Sequence, residues 1–298
     1  MPERPITFTS GSHHLVGILH EPIAAATPRR GVLFFSPGVQ AAKAGPARSY
    51  VRLARSLASS GWCAFRFDFP GLGESEGELP PSFQVDEFSP EVTRAVTTAA
   101  VQTFCREAHI DEVVFYGLCG GARTALNAAG VDGRVTGLVL LGLPLMRSGE
   151  VGWPAPEKLD VRGYLRKARQ WVYWKRFLTL QSDYQFFRKA LWHLVRGRLA
   201  ERSRVDSGVA HNLLETLKRG QRLLFLYGDR DPFYKAFQVG LQPQLSRLNG
   251  SAPVDYACRI IPAASHAFPQ AAAQERLIEE MLAWLAARYP AQSPVRVG

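Results

Sequence analysis

The sequence predicts an α/β chain built on a mostly parallel sheet with helices on both faces. Three observations carry this. Short apolar runs rich in Val, Leu and Phe recur along the chain, as strands buried on both faces do. Segments of helical period separate them, the rhythm of strand-crossover-strand units. The 298 residues, 46% apolar and 21% charged, suffice to bury a sizeable core.

The elements follow in order. Residues 6–9 and 15–20 alternate like strands around Ser10-Gly11-Ser12 and predict an opening hairpin. Residues 31–36 are a continuous apolar run, expected of a central strand. Residues 50–58 group Val51, Leu53, Ala54 and Leu57 at helical spacing, and Gly61 ends that helix. A strand over 62–67 leads into the loop 68–77, and 85–107 reads as helix. Strands are expected at 112–116, 137–142, 222–227 and 254–261, and helices at 122–129, 234–248 and 274–288. The tail from Pro290 is expected to fray. Between 146 and 219 the rhythm stops. Residues 1–145 and 220–290 are therefore assigned to the α/β core, and 146–219 to a helical cap inserted over the carboxyl edge of the sheet.

One turn stands apart. Gly117-Leu118-Cys119-Gly120-Gly121 lies between the strand at 112–116 and the helix at 122–129. Strand, tight glycine-flanked turn and helix form the context in which a nucleophile is held in strained backbone. Cys119 then starts a helix, whose unpaired amides and dipole favour a thiolate. The plainer alternative is a small buried cysteine closing a strand.

A nucleophilic cysteine needs a base, and the base an orienting carboxylate. Both are expected downstream, at carboxyl ends of parallel strands, where such sheets place their sites. Gly228-Asp229-Arg230-Asp231-Pro232 supplies the acid. Asp231 is preferred, and Asp229 is assigned to the turn. Pro262-Ala263-Ala264-Ser265-His266 supplies the base, His266. Two amides are expected to face the developing oxyanion: that of Gly120, and that of Val39, with Gln40 as its neighbour, in the loop Ser36-Pro37-Gly38-Val39-Gln40.

Taken together, the Pro37-Gly38 loop, Arg66-x-Asp68-x-x-Gly71-x-Gly73-x-Ser75, the Gly117-x-Cys119-x-Gly121 turn, and the Asp231 and His266 loops resemble the α/β-hydrolase superfamily over nearly the whole chain. Gly117-Leu118-Cys119 with Tyr184-Gln185-Phe186-Phe187-Arg188-Lys189-Ala190-Leu191 is similar to the exosortase-system-associated hydrolases of bacterial exopolysaccharide clusters. The cysteine is also similar to that of dienelactone hydrolases, which lack a long helical insertion, so their substrate does not carry over. The resemblance implies a Cys119-His266-Asp231 triad and a structural role for the 68–75 loop. Pro37-Gly38 departs from the His-Gly dipeptide common in the superfamily, leaving backbone amides as the feature in question.

A cysteine restricts the chemistry. The thiolate is a better leaving group than an alkoxide, so a tetrahedral adduct with an alkyl ester tends to revert. Thioesters, enol or aryl esters and strained lactones progress. The expected substrate is a small acyl compound, hydrolysed through an acyl-enzyme. Acyl transfer or cyclisation on the same triad, and a non-catalytic scaffold, are the alternatives. No metal or other cofactor is expected.

Charge points to partners. The net charge is +10, and residues 161–204 carry all of it, twelve Lys/Arg against Asp183 and Glu201. Aromatic side chains lie among these cations, and Trp171 and Trp174, with Gln40 of the 36–40 loop, are expected to contact substrate. Such a segment suits coenzyme A phosphates, an acidic carrier protein or an anionic membrane surface. It equally suits a cap with an ordinary solvated basic face. Nucleic acid is not expected, since no recognition motif accompanies the charge. Cys63, Cys105, Cys119 and Cys258 are widely spaced and read as free thiols. With neither a signal-like leader nor an apolar span of membrane length, a cytoplasmic and at most membrane-peripheral protein is expected.

Overall fold

A computed structural model describes residues 2–23, 28–37, 42–80, 88–145, 205–251 and 254–290. The chain divides into two units, Met1–Leu145 with Val205–Gly298, and Met146–Arg204. The second unit lies outside the described residues, and with it Trp171 and Trp174.

In the first unit, eight strands form one sheet in the order β1-β2-β4-β3-β5-β6-β7-β8. Glu3–Ser10 (β1) and His13–His20 (β2) form the hairpin, and β2 runs antiparallel to Cys63–Phe67 (β4). From β4 onward all pairing is parallel, through Arg30–Phe35 (β3), Glu112–Leu118 (β5), Val135–Leu141 (β6), Arg222–Gly228 (β7) and Tyr256–Ile261 (β8). The sequence explains the central position of β3. Phe34 packs on Tyr50 and Tyr116 on one face, while Phe35 packs on Phe67, Phe69 and Phe115 on the other. Successive aromatic residues are buried on opposite sides because strand side chains alternate. Each such ring contributes about 1.5–3 kcal/mol by leaving water.

Ser49–Ser59 (α1), Pro90–Ala108 (α2) and Gly120–Asn127 (α3) follow β3, β4 and β5. Helix α2 begins later than the spacing predicts. Ser89 caps it, accepting from the Val92 amide at 3.3 Å, and Pro90 occupies a first-turn position that needs no amide. The inserted segment is also shorter than expected. Ser207–Lys218 (α4) groups with the core, buries Val209 and Leu213, and starts at Asp206, which accepts from the Gly208 and Val209 amides. The helix expected over 234–248 is three pieces: Pro232–Ala236 (α5), a π-helical turn Phe237–Leu241 that contains Gly240, and Gln242–Ser251 (α6). Ala271–Arg288 (α7) closes the core.

The strand order reverses between β3 and β5, since β4 continues on one side of β3 and β5 starts the other. The carboxyl ends of these two strands border the crevice where open α/β sheets bind ligands.

Candidate active site

Cys119 sits between β5 and α3 with φ 55° and ψ −120°, a conformation that non-glycine residues rarely adopt. Its amide donates to Leu141 O at 2.9 Å, and its carbonyl accepts from Ala122 at 2.9 Å and Arg123 at 3.2 Å. Two glycines permit the turn. A Cβ on Gly117 would fall on the Gly121 carbonyl, and one on Gly121 would lie 2.7 Å from the carbonyl oxygens of both Phe35 and Ser36. The start of α3 thus presses directly on the end of β3. Gly120 opens α3, so its amide belongs to the first turn, where no helical carbonyl is available. Cys119 is half-buried, whereas Cys63 and Cys105 are buried. Burial raises the Cys63 thiol, and raises Cys105 to about 11 and Cys258 to about 12.

The acid and base loops leave adjacent strands, β7 and β8. Asp231 is 4% exposed; its Oδ1 accepts from the Phe233 amide at 2.9 Å and caps α5. Its Oδ2 lies 2.9 Å from His266 Nδ1, which fixes the proton on Nδ1 and leaves Nε2 as the reactive nitrogen. Asp229 is exposed and instead accepts from the Ala263 amide at 3.0 Å, fastening the histidine loop to the end of β7. Arg230 adds a second tie, its amide donating to Ala264 O at 3.1 Å. Phe233 meets the His266 ring edge-on at 5.0 Å.

His266 Nε2 is buried and makes no hydrogen bond of ordinary geometry, yet Cys119 is close enough to act on the ring. Burial opposes a charge on His266, but the hydrogen bond it donates to Asp231 and the nearby Cys119 sulfur outweigh it and raise the imidazole to about 10. Cys119, His266 and Asp231, far apart in sequence, meet at the carboxyl ends of β5, β8 and β7. Val39 and Gln40 lie outside the described residues, which resume at Ala42.

Sequence reasoning missed Gly142, just past β6. At φ 54° it passes beneath the pair, and a Cβ there would lie 2.8 Å from His266 Nδ1 and 3.0 Å from Asp231 Oδ2. The signal was present: a glycine ending a buried strand marks close backbone approach. Among the described residues no His, Cys, Asp and Glu group is arranged to hold a metal ion, and no helix is long and apolar enough to cross a membrane.

Comparison with known proteins agrees with this fold. An α/β-hydrolase homologue from Coxiella burnetii, described as a serine hydrolase, superposes with TM-score 0.56 at 14% identity, covering 95% of this chain and 97% of that one. A serine hydrolase without a lid from Xanthomonas campestris gives 0.57 at 14% identity, with 98% and 97% covered. An esterase from Pyrococcus furiosus gives 0.58 at 15% identity, with 96% and 91% covered. At such identities the likeness is one of fold. No curated protein matches the chain in sequence. The model of the alpha/beta hydrolase family, however, matches residues 33–280, most of the chain, and so the protein belongs to the alpha/beta hydrolase family of hydrolytic enzymes.

Proposed function

We propose that the protein hydrolyses thioesters or activated esters and lactones through an acyl-enzyme on Cys119. The observation behind this is a half-buried thiol in strained backbone at the start of α3, beside a histidine held by a buried carboxylate at 2.9 Å. The Cys119 thiolate attacks the acyl carbon, and the carbonyl electron pair moves onto oxygen. The amide of Gly120, with one from the Val39 loop, stabilises that oxyanion. As the adduct collapses, the His266 imidazolium gives its Nε2 proton to the departing thiol or enol. The neutral ring then takes a proton from water, whose oxygen attacks the thioester formed on Cys119. The second adduct expels the Cys119 thiolate and releases the acid.

The direction of the His266 shift supports the acid role. A ring raised to about 10 carries its proton at neutral pH, ready for the leaving group. Asp231 would serve as the orienting carboxylate, since it already holds Nδ1–H. The basic segment at 161–204, with Trp171 and Trp174, would draw an acyl group attached to a coenzyme A-like phosphate carrier or an acidic carrier protein. The serine-hydrolase descriptions of the structural neighbours stay with those proteins, because the nucleophile position here is a cysteine.

A panel of acyl thioesters, aryl esters and alkyl esters, run beside Cys119→Ala, tests the proposal. Thioesters and aryl esters should turn over and alkyl esters should lag by about tenfold or more. Equal rates on all three would remove the leaving-group argument. Undiminished turnover by Cys119→Ala would remove the cysteine mechanism altogether.

A further inference from the structure

The register of β3 and β5 pairs Phe35 with Gly117. The Cys119 amide bonds Leu141 on β6, so the neighbouring Leu118 amide points the other way, towards β3. The Phe35 carbonyl and the Leu118 amide are therefore the last facing groups of this ladder. One is a residue from the start of the oxyanion loop at Ser36, the other a residue from Cys119. A side chain from a third element engages both. Tyr50 of α1 donates its hydroxyl to Phe35 O at 3.0 Å and accepts from the Leu118 amide at 3.0 Å.

Tyr50 is held firmly enough for this. It is fully buried, and its ring packs on Phe34 at 5.3 Å and Tyr116 at 5.1 Å. Its amide donates to Ala44 O at 3.2 Å, where the chain returns from the oxyanion loop. Gly45, at φ 69°, lies flat against the ring, so that a Cβ there would meet Tyr50 Cγ at 2.7 Å. Burial raises the phenol far above its usual range, and it stays a protonated donor under all ordinary conditions.

We propose that Tyr50 is a positioning residue whose hydroxyl fixes the spacing between the Cys119 turn and the oxyanion loop. The end of β3 and the residue before Cys119 share this one oxygen as a partner, so its loss lets the thiol turn shift relative to the strand end from which the 36–40 loop starts. A misplacement of about 1 Å costs about 10²-fold in rate. The inference rests on the Cys119 reading, and the experiment separates the two.

Tyr50→Phe removes only the hydroxyl. The expected result is a tenfold to hundredfold lower kcat on an acyl thioester (about 1.4–2.7 kcal/mol) with KM within about twofold. Iodoacetamide alkylation of Cys119 needs no oxyanion and should stay within about threefold of wild type. Tyr289→Phe supplies the control for a lost buried hydroxyl. Tyr289 bonds Thr136 at 3.2 Å near the amino end of β6, and its loss should leave kcat unchanged. If Tyr50→Phe does not fold, 4-aminophenylalanine at position 50 keeps the ring and a donor to Phe35, and a lower kcat at constant KM is again expected. A wild-type kcat in a folded Tyr50 variant, or an equal loss in Tyr289→Phe, overturns the positioning role. Full turnover by Cys119→Ala would instead overturn the nucleophile, whatever Tyr50 does.

Discussion

Two histidines, His20 buried and His266 half-buried, lie at opposite parts of the same sheet and are driven in opposite directions. His266 is raised to about 10, and His20 on β2 is lowered to about 4. Burial is the first cause at both, and at both it disfavours the charged ring. The neighbour decides the rest. His266 Nδ1 faces the Asp231 carboxylate at 2.9 Å, whereas His20 Nε2 accepts from the Arg66 guanidinium at 3.0 Å, and Glu3 reaches only 3.7 Å from its other nitrogen. One ring is prepared to carry a proton, the other to refuse one. Arg66 also bonds Lys43 O at 2.7 Å, and Asp68 accepts from the Lys43 amide at 2.5 Å. The uncharged His20 therefore braces the strand and loop beside the site, and takes no part in acid-base work.

The comparison breaks most sharply at the proposed nucleophile. Cys119→Ala should lower kcat/KM on a thioester by about 10⁴-fold or more while keeping the fold, as measured by turnover and circular dichroism. No substitution at His20 should approach this. Asp231→Asn removes the largest influence raising His266, so the midpoint followed by ring NMR should fall well below 10, with about a 10³-fold loss of activity. Gly142→Ala sets a Cβ against the His266 ring and the Asp231 carboxylate and should cost about 10²-fold in kcat, with little change at His20.

The smallest effects are in stability, and their signs differ. His266 is raised above its unfolded value near 6.5, so its contribution is complete below that pH and is lost as pH rises towards 10. His20 is lowered, so its contribution is complete above 6.5 and is lost as pH falls towards 4. Denaturant melts between pH 4 and 10 should show His20→Gln flattening the acid limb and His266→Gln the alkaline one. The same variant flattening both limbs would contradict the separation of the two sites.

Much of this was legible in the sequence because it follows from local rules. Gly117 and Gly121 announced the turn at Cys119 because crowding leaves no other residue there. Asp231 and Asp229, two residues apart, have different partners, one carboxylate facing the His266 ring and the other a loop amide. Contacts made by elements distant in sequence were not legible. Tyr50 read only as the first residue of a helix, since nothing local reveals that its hydroxyl lies beside the Leu118 amide. Gly142 read as a strand end, because its partners come from two later loops. The end of the insertion was misplaced because α4 follows the basic stretch without a strand between, although Asp206-Ser207 is an ordinary capping signal. The π-turn at 237–241 interrupts a helix whose spacing gives no warning of it.

The two ends of the core that flank Met146–Arg204 meet at one bond, the Asp206 amide donating to Leu145 O at 2.7 Å. A segment that departs and returns through a single closed doorway leaves the core the same geometric problem to solve at any length, and lengthening it costs only logarithmically in closure entropy. A segment of any length can therefore be exchanged between these two residues while the ends of the core that flank it stay where they are.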